Sequence, residues 1–563
     1  MYGFIGTWMR TDYKINTNHF FYDNNSKVKS VKYNEISICS KSNGKFDGDK
    51  ILLEDKDIII CVDGLIYKNR KNGSLDVSQF IKNCYIECGD SFISEIDGVF
   101  SIVLYDKKKH KMILATDHTA MKPLYYYVEN HSIFFSTDIT WLYRSLKESG
   151  VKIILNYDAA YCILSYGFMI DSITPVLGVN KLLPGHYLVV SPYSVEDKVY
   201  FDYKSTKTDN RNKDDLLEEA ETLFSKAILK RYSKDIEYGY SHVCTLSGGL
   251  DSRSILTVSK DSGFYPQITL TMSQSNTLDE KIAKTYSSAL GVSNFFYVLD
   301  RGDYLMSVDK AIELNGGLVT YPGLMHAEKL FSLFNFSKYG AIHSGEVGDA
   351  IFGGHALNEY YAPVDVGYGA FSNKLISKIS KEVFEGAKAR CNSQYLFFLL
   401  ERGLNSAING WYSSTPYTEY TSAFLDRDFL KFILTVPPEY KAKSKFYIEW
   451  MKKYHPIMCD YKWEKTNALP TANKIGRGIG HAKKMMSRRL FGNSENMNPY
   501  ELWYSNNLEL RQYVEDYYNA CIPYITNKEL SEDIKGLFYN GSFTEKAQVL
   551  TLLGTIKSFE IEL

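Results

Sequence analysis

No run of about 18 apolar residues occurs in this chain of 563 residues, so a membrane-spanning helix is not expected. Nor does a basic and then apolar stretch follow Met1. Tyr2, Gly3 and Phe4 come at once, which argues against a secretory leader. The nine cysteines are scattered, odd in number and without a CxxC pair. Cys84 and Cys88 are the closest two, and no His/Cys pair elsewhere completes a zinc set. Such usage fits a reducing compartment, and the expected location is cytoplasmic. An excess of one charge is also missing. With 65 basic and 66 acidic residues the net charge is −1, so no general attraction to nucleic acid or to an acidic membrane is expected. Any anion must be bound locally. Internal repeats and low-complexity segments are absent as well.

The length is too great for one core and predicts two or three domains. The first part reads as β-rich. Short alternating strands such as Ile58–Val62 and Phe100–Tyr105 are punctuated by expected turns at Asp47-Gly48, Asp63-Gly64 and Asp97-Gly98. Met112–Ala115, Leu124–Val128 and Ser132–Ser136 continue a meander that predicts two packed antiparallel sheets. Helical spacing marks Val77–Tyr85 and Ile139–Lys147, and Leu182–Val190 reads as a final hairpin. Tyr203–Asp214, polar and without apolar periodicity, is the best linker. Beyond it the rhythm changes. Helix Leu216–Arg231 leads to strand His242–Leu246, followed by strand Gln267–Met272, helix Asp279–Leu290, and strands Ser293–Leu299 and Lys338–Ser344. That order predicts a parallel sheet, with a nucleotide at the carboxyl ends of its strands. From about residue 370 the pattern is mostly helical.

Two glycine-rich stretches carry the chemistry. The first is Cys244-Thr-Leu-Ser-Gly-Gly-Leu-Asp-Ser-Arg253, between a strand and a helix. Gly248 and Gly249 lack a Cβ, so backbone N–H groups can close around an anion, helped by the positive end of the new helix. Ser247 and Ser252 add hydroxyls, and Asp251 adds a carboxylate suited to Mg²⁺. The GxxxxGK[ST] lysine is absent, which makes this a different kind of phosphate cradle. Ser-Gly-Gly-x-Asp-Ser resembles the pyrophosphate loop of enzymes that cleave ATP to AMP and pyrophosphate. The second stretch, His343-Ser-Gly-Glu-Val-Gly-Asp-Ala-Ile-Phe-Gly-Gly354, places Glu346 and Asp349 three residues apart in a loop that can face the first.

Together these motifs resemble the asparagine synthetase family, whose relatives include β-lactam-forming enzymes and lasso peptide cyclases. Asp97-Gly98-Val-Phe100, Tyr105-Asp106 and Lys122-Pro-Leu-Tyr-Tyr126 fit the family's N-terminal glutaminase pattern. The resemblance implies an α/β protein of two domains. Residues 1–205 would form a degenerate Ntn-hydrolase-like αββα sandwich. Residues 206–563 would form a parallel-sheet pyrophosphate-loop domain, of the adenine nucleotide α-hydrolase kind, ending in a helical part. The departures are informative. The family's glutaminase needs a first-residue cysteine, with its own amine as base. Here the family's Cys-Gly-Ile-Phe-Gly is replaced by Met1-Tyr2-Gly3-Phe4-Ile5-Gly6, and a phenol is a poor substitute at neutral pH. The glutamine-holding Asn-Gly-Glu reads Asp63-Gly64-Leu65. Glutamine hydrolysis is therefore not expected.

The arginine-containing stretch for aspartate is replaced by Asn315–Gly323, which puts aspartate in doubt as a substrate. Tyr321 lies roughly where the β-lactam-forming relatives keep a catalytic tyrosine, and Glu359 roughly where they keep its carboxylate partner. Neither spacing matches fully, and a core or pocket-wall aromatic is the alternative for Tyr321. For the lysine that steadies the reacting phosphate, Lys465 is the candidate and Lys474 the runner-up.

The resemblance also implies a role for each loop residue. ATP would lie over Leu246, Ser247, Gly248, Gly249, Asp251 and Ser252, with Ser344 and Gly345 opposite. Leu270 and Met272 would lie under the adenine, and Asp251 and Asp349 would share Mg²⁺. Glu346 and Lys465 would act in amide formation through an acyl-adenylate. The amine would come from the substrate itself, giving a lactam or macrolactam. An ammonia- or glutamine-dependent asparagine synthetase, amidation of a sugar acid, and a non-catalytic scaffold are the other readings. Expected partners are a small-molecule or peptide carboxylate, a precursor peptide or its delivery protein, and a second copy in a homodimer. Neither nucleic acid nor membrane is expected.

Overall fold

In Ile58–Ile66 successive side chains point to opposite faces of an extended strand, yet all nine residues are buried, so both faces must be covered. Ile59 and Cys61 pack inward with Phe4, Ile38 and Phe135, while Ile58, Ile60 and Val62 pack outward with Val77, Ile81 and Phe92. The computed structural model describes residues 2–8, 26–67, 76–129, 132–265, 267–491 and 496–563. Its first twelve strands are β1 (Gly3–Trp8), β2 (Lys27–Tyr33), β3 (Ile36–Ser42), β4 (Ile51–Glu54), β5 (Ile58–Ile66), β6 (Gly98–Asp106), β7 (Lys111–Thr116), β8 (Tyr125–Glu129), β9 (Ser132–Ser136), β10 (Val179–Lys181), β11 (His186–Val190) and β12 (Val195–Val199). They form two antiparallel sheets, in the orders β10-β8-β9-β1-β3-β2 and β12-β11-β7-β6-β5-β4. Helix α1 (Val77–Cys88), capped by the Asp76 carboxylate, covers the second sheet. Helix α2 (Ile139–Glu148), capped by Asp138, brings Trp141 against the outer face of the first. The αββα sandwich implied by the resemblance is therefore present.

Two local expectations are corrected. Asp63-Gly64 is no turn but lies inside β5. Gly64 has φ +140° there, and a Cβ would sit 2.1 Å from the Val99 carbonyl of β6, so glycine is required by close approach. Leu182–Val190 is no hairpin either: β10 pairs with β8 and β11 with β7, so the Leu183-Pro184-Gly185 turn crosses from one sheet to the other.

Residues 202–212 are irregular but tied down. The Tyr203 hydroxyl donates to the His118 carbonyl at 2.7 Å, and the Asp209 N–H to the Thr435 carbonyl at 2.8 Å. Helix α3 (Lys213–Glu237) then enters a five-stranded parallel sheet of β13 (Ser241–Thr245), β14 (Gln267–Ser273), β15 (Ser293–Val298), β16 (Tyr339–Ser344) and β17 (Tyr420–Ser422). Its order is β15-β14-β13-β16-β17, so the chain leaves β13 in one direction and returns to its other side at β16. Such a switch point opens a crevice at the strands' carboxyl ends. The three-residue β17 is an addition that the sequence pattern does not announce. The rest of the chain is largely helical and ends in the almost wholly buried Phe543–Phe559, which is started by a Ser542/Glu545 capping box. Among the described residues no helix is long and apolar enough to cross a membrane.

Buried charges join the sandwich to the sheet. Glu419, just before β17, takes Lys50 at 2.7 Å and Lys122 at 2.8 Å, and Lys122 also reaches Asp63 at 3.1 Å. Burial alone would raise the Glu419 carboxyl, but Lys122 and Lys50 hold it down at about 2. Asp426 is likewise held at about 2, against burial, by Arg231 at 2.9 Å and Lys230 at 3.0 Å.

Candidate active site

At the end of β13 the chain turns through residues 246–249 and opens helix α4 (Leu250–Asp261). The turn braces itself: the Ser247 N–H donates to Ser252 Oγ at 3.0 Å and the Gly249 N–H to Ser247 Oγ at 3.1 Å. Gly248 departs from expectation. Its N–H donates to Asp279 Oδ1 at 2.8 Å, and a Cβ there would meet Glu464 Cβ at 2.8 Å. It faces the body of the protein rather than the cleft. The first-turn N–H groups of α4 have no intrahelical acceptor, which leaves an edge that can take an anion.

The second loop presses directly on the first. A Cβ on Gly345 would lie 2.5 Å from the backbone of Asp251 and Ser252, and one on Gly348 would lie 2.7 Å from Asp251 Cγ. Both positions exclude any larger residue. Val347, between them, has φ +68°, a left-handed conformation that is strained for a β-branched side chain. The turn it makes aims the Asp349 N–H at Asp251 Oδ2, 2.9 Å away.

Three acids therefore share one end of the cleft. Burial first, then Asp349 and then Glu346, pushes the Asp251 carboxyl well above the usual range. Its Oδ1 is buried without a hydrogen-bond partner. An orphaned carboxylate oxygen beside a second acid is a donor set that fits a divalent cation such as Mg²⁺. Burial also raises Glu346, opposed by the Trp411 indole, whose Nε1–H donates to Oε2 at 3.0 Å. Trp411 is itself stacked on Tyr420 of β17, with centroids 4.4 Å apart and planes at 13°.

Leu246, Ser247, Gly249, Asp251, Ser252, Leu270, Met272, Ser344, Gly345, Glu346, Asp349 and Lys465 all line this one cleft of about 570 Å³, a size usual for small-ligand sites. Lys465 Nζ stands 3.6 Å from Asp349 Oδ2. Its segment is fastened to the first loop by the buried Arg253. That guanidinium donates to the Gly248 carbonyl at 2.7 Å, to Tyr461 at 3.2 Å, to Met458 at 3.3 Å and to Lys462. The side chain of Lys474 lies outside the described residues. Tyr321 is corrected: it does not line the cleft. Its ring is fully buried, with burial first and then Tyr513, Tyr500 and Tyr504 raising its hydroxyl well above the usual range. Glu359 does reach the cleft, bonded to His355 Nδ1 at 2.8 Å. Trp411 and Arg402, also in the lining, escape a reading of the sequence, because no motif marks the helical stretch that carries them.

A second cavity of about 50 Å³ lies between sandwich and sheet, lined by Tyr2, Asp63, Lys122, Tyr125 and Glu419 among others. Trp411 lines both spaces. The smaller one has room for little beyond water.

Comparison with known proteins matches residues 62–201 to a glutamine amidotransferase domain and residues 219–383 to asparagine synthase. Asparagine synthetase [glutamine-hydrolyzing] 1 of Bacillus subtilis (strain 168) is 24% identical over 59% of this chain and 52% of its own length. Putative asparagine synthetase [glutamine-hydrolyzing] 2 of Methanocaldococcus jannaschii is 26% identical over 56% of this chain and 63% of its own. The human asparagine synthetase [glutamine-hydrolyzing] is 24% identical over 68% of this chain and 65% of its own. The chain thus spans between about half and two thirds of the length of these relatives.

Proposed function

Since the chain belongs to the asparagine synthetase family, we propose that it joins a carboxylate to an amine at the expense of ATP, through an acyl-adenylate, releasing AMP and pyrophosphate. The observation that carries this reading is the contact of the two glycine loops at the sheet's switch point, which sets Asp251, Asp349 and Glu346 around one anion-binding edge. The substrate carboxylate attacks the α-phosphate of ATP. The first-turn N–H groups of α4 and Ser247 hold the departing pyrophosphate, and fixed donors do this without reorganising. Asp251 and Asp349 would hold Mg²⁺, which supplies positive charge to the phosphates when bound. Glu346, made more basic by burial, takes the proton of the attacking amine. Lys465 stands at the phosphate side, beside Asp349.

The amine comes from the substrate, giving a lactam or macrolactam. In support, the cavity at Tyr2 and Asp63 is far smaller than a glutamine site would need, and no cysteine is among the described residues lining it. The test is product analysis with ATP, Mg²⁺ and a panel of amino acids and peptides bearing free carboxylates. AMP and pyrophosphate should appear, and Asp251→Asn should abolish them. ADP as product would overturn the proposal. Glutamate released from glutamine would overturn the assignment of the amine.

A further inference from the structure

Six of the eighteen residues in helix Lys474–Phe491 are lysine or arginine, and none is acidic. No aspartate or glutamate occurs anywhere from Lys465 to Ser494, in a chain whose net charge is only −1. Expectations about partners that rest on the averaged charge therefore do not reach this helix. Its apolar residues are placed just as unevenly. Ile475, Ile479, Ala482 and Met486 follow at i, i+4, i+7 and i+11, which sets them in one row along the helix. A row of this kind ordinarily faces a core. Here it faces outward: Ile475 is 73% exposed, Ile479 53% and Met486 62%, and Ala482 is exposed too. The helix is seated on the protein by a glycine instead. A Cβ on Gly480 would lie 2.4 Å from the Thr466 carbonyl and 3.1 Å from Ala468 Cβ. Arg477 adds a hydrogen bond from Nη2 to the Pro470 carbonyl at 2.9 Å. These contacts hold the helix against the segment that follows Lys465 and leave the isoleucines in water. Neither Arg477 nor Lys483 has an ion-pair partner among the described residues.

We propose that this helix docks the protein on a membrane surface carrying anionic lipid, lying in the interface rather than crossing it. The charges and the apolar row make different demands, and one partner meets both. Cations without acids among them call for an anionic surface, and the outward row calls for an apolar layer just beneath it. A leaflet offers phosphates in its headgroups and acyl chains directly below. Nucleic acid answers the cations but leaves the isoleucines in water. A second copy of the same helix would set cation against cation. The row from Ile475 to Met486 runs for about 16 Å, long enough to lie along a surface and too short to span one. Lys483 borders the row, where its stem can follow the apolar residues while its ammonium reaches the headgroups. Because Gly480 rests on Thr466, docking brings the Lys465 wall of the cleft close to the lipid face. None of this depends on the reaction assigned to the cleft.

The test is co-sedimentation of the full chain with vesicles of phosphatidylcholine alone and of phosphatidylcholine mixed with phosphatidylglycerol. Binding to the anionic vesicles should be about 10- to 100-fold tighter than to the neutral ones and should weaken as salt rises. Ile475→Ser/Ile479→Ser/Met486→Ser keeps every charge and should weaken binding by about 100-fold or more, since each change removes several buried methylenes. Lys483→Gln should weaken it about fivefold. All four side chains are exposed, so the urea midpoint of both variants should stay at the wild-type value, which separates lost docking from lost folding. Sedimentation with neither vesicle, equal binding to both, or undiminished binding of the triple variant would each overturn the proposal. Capture of the wild type by immobilised RNA without any binding to vesicles would overturn it too, and would make the helix a site for a polyanion.

Discussion

Changing Glu419 to glutamine removes one charge from the seam between sandwich and sheet and leaves the shape nearly intact. The Lys50 and Glu419 side chains are only 7% and 6% exposed, so solvent cannot replace the lost partner. Lys122 keeps Asp63, but Lys50 has no other ion-pair partner among the described residues. One buried ammonium is therefore stranded, and breaking such a pair costs about 3–5 kcal/mol. Losing both partners should cost much less, so Lys50→Met/Glu419→Gln is expected to recover most of the deficit. The pH dependence has a definite sign. The carboxyl of Glu419 is held near 2 in the folded protein against an unfolded value of about 4.3. Its stabilisation is then complete above that unfolded value and is lost as pH falls toward 2. Urea unfolding at neutral pH and along an acid series measures both effects. A loss under about 1 kcal/mol in Glu419→Gln, a double variant no more stable than the single one, or an unchanged acid limb would refute the reasoning.

Asp251→Asn should raise thermal stability by about 1 kcal/mol in the absence of Mg²⁺ while abolishing AMP formation, because burial beside Asp349 and Glu346 disfavours the charged form of the folded carboxyl. Such a raised carboxyl costs stability increasingly as pH rises above its unfolded value, so the gain should be larger at neutral pH than at pH 4. Equal or lower stability at neutral pH contradicts this. Gly345→Ala drives a methyl into the backbone of Asp251 and Ser252 and should abolish binding of an ATP analogue, read by calorimetry, while the far-ultraviolet spectrum is kept. Trp411→Phe keeps the stack on Tyr420 but removes the hydrogen bond to Glu346, and should slow amide formation about 10- to 100-fold. Because that bond favours the charged form, the acid limb of the pH–rate profile should move to higher pH, and an unmoved limb would exclude the role given to Trp411.

The two loops are legible in the sequence because their function is local. A strand, a glycine turn, a carboxylate and a new helix are written within ten residues, and backbone geometry does the rest. What tertiary contact decides is not legible. Gly248 has the makings of a phosphate donor, but Asp279, thirty-one residues on, claims its N–H. Asp63-Gly64 has the residues of a turn, yet pairing across all of β5 overrides them. Tyr321 sits at nearly the right spacing, but the helix Tyr321–Leu333 turns it inward. Trp411 and Arg402 carry no motif, since their use depends on which wall of the cleft their segment forms. β17 is three buried residues, too short to show a period.

That shortest strand has a consequence for how the molecule can be cut or rebuilt. Glu419 at its entry is the counter-ion for two lysines of the sandwich, and Ser422 at its exit donates to the Glu346 carbonyl at 3.1 Å. Between them Tyr420 supports the indole that holds Glu346. The amino-terminal lobe is in this way a buttress for the reactive end of the cleft, whatever chemistry it performs on its own. A version trimmed to the sheet domain would bare Glu419, loosen the strand and lose its grip on that carboxylate.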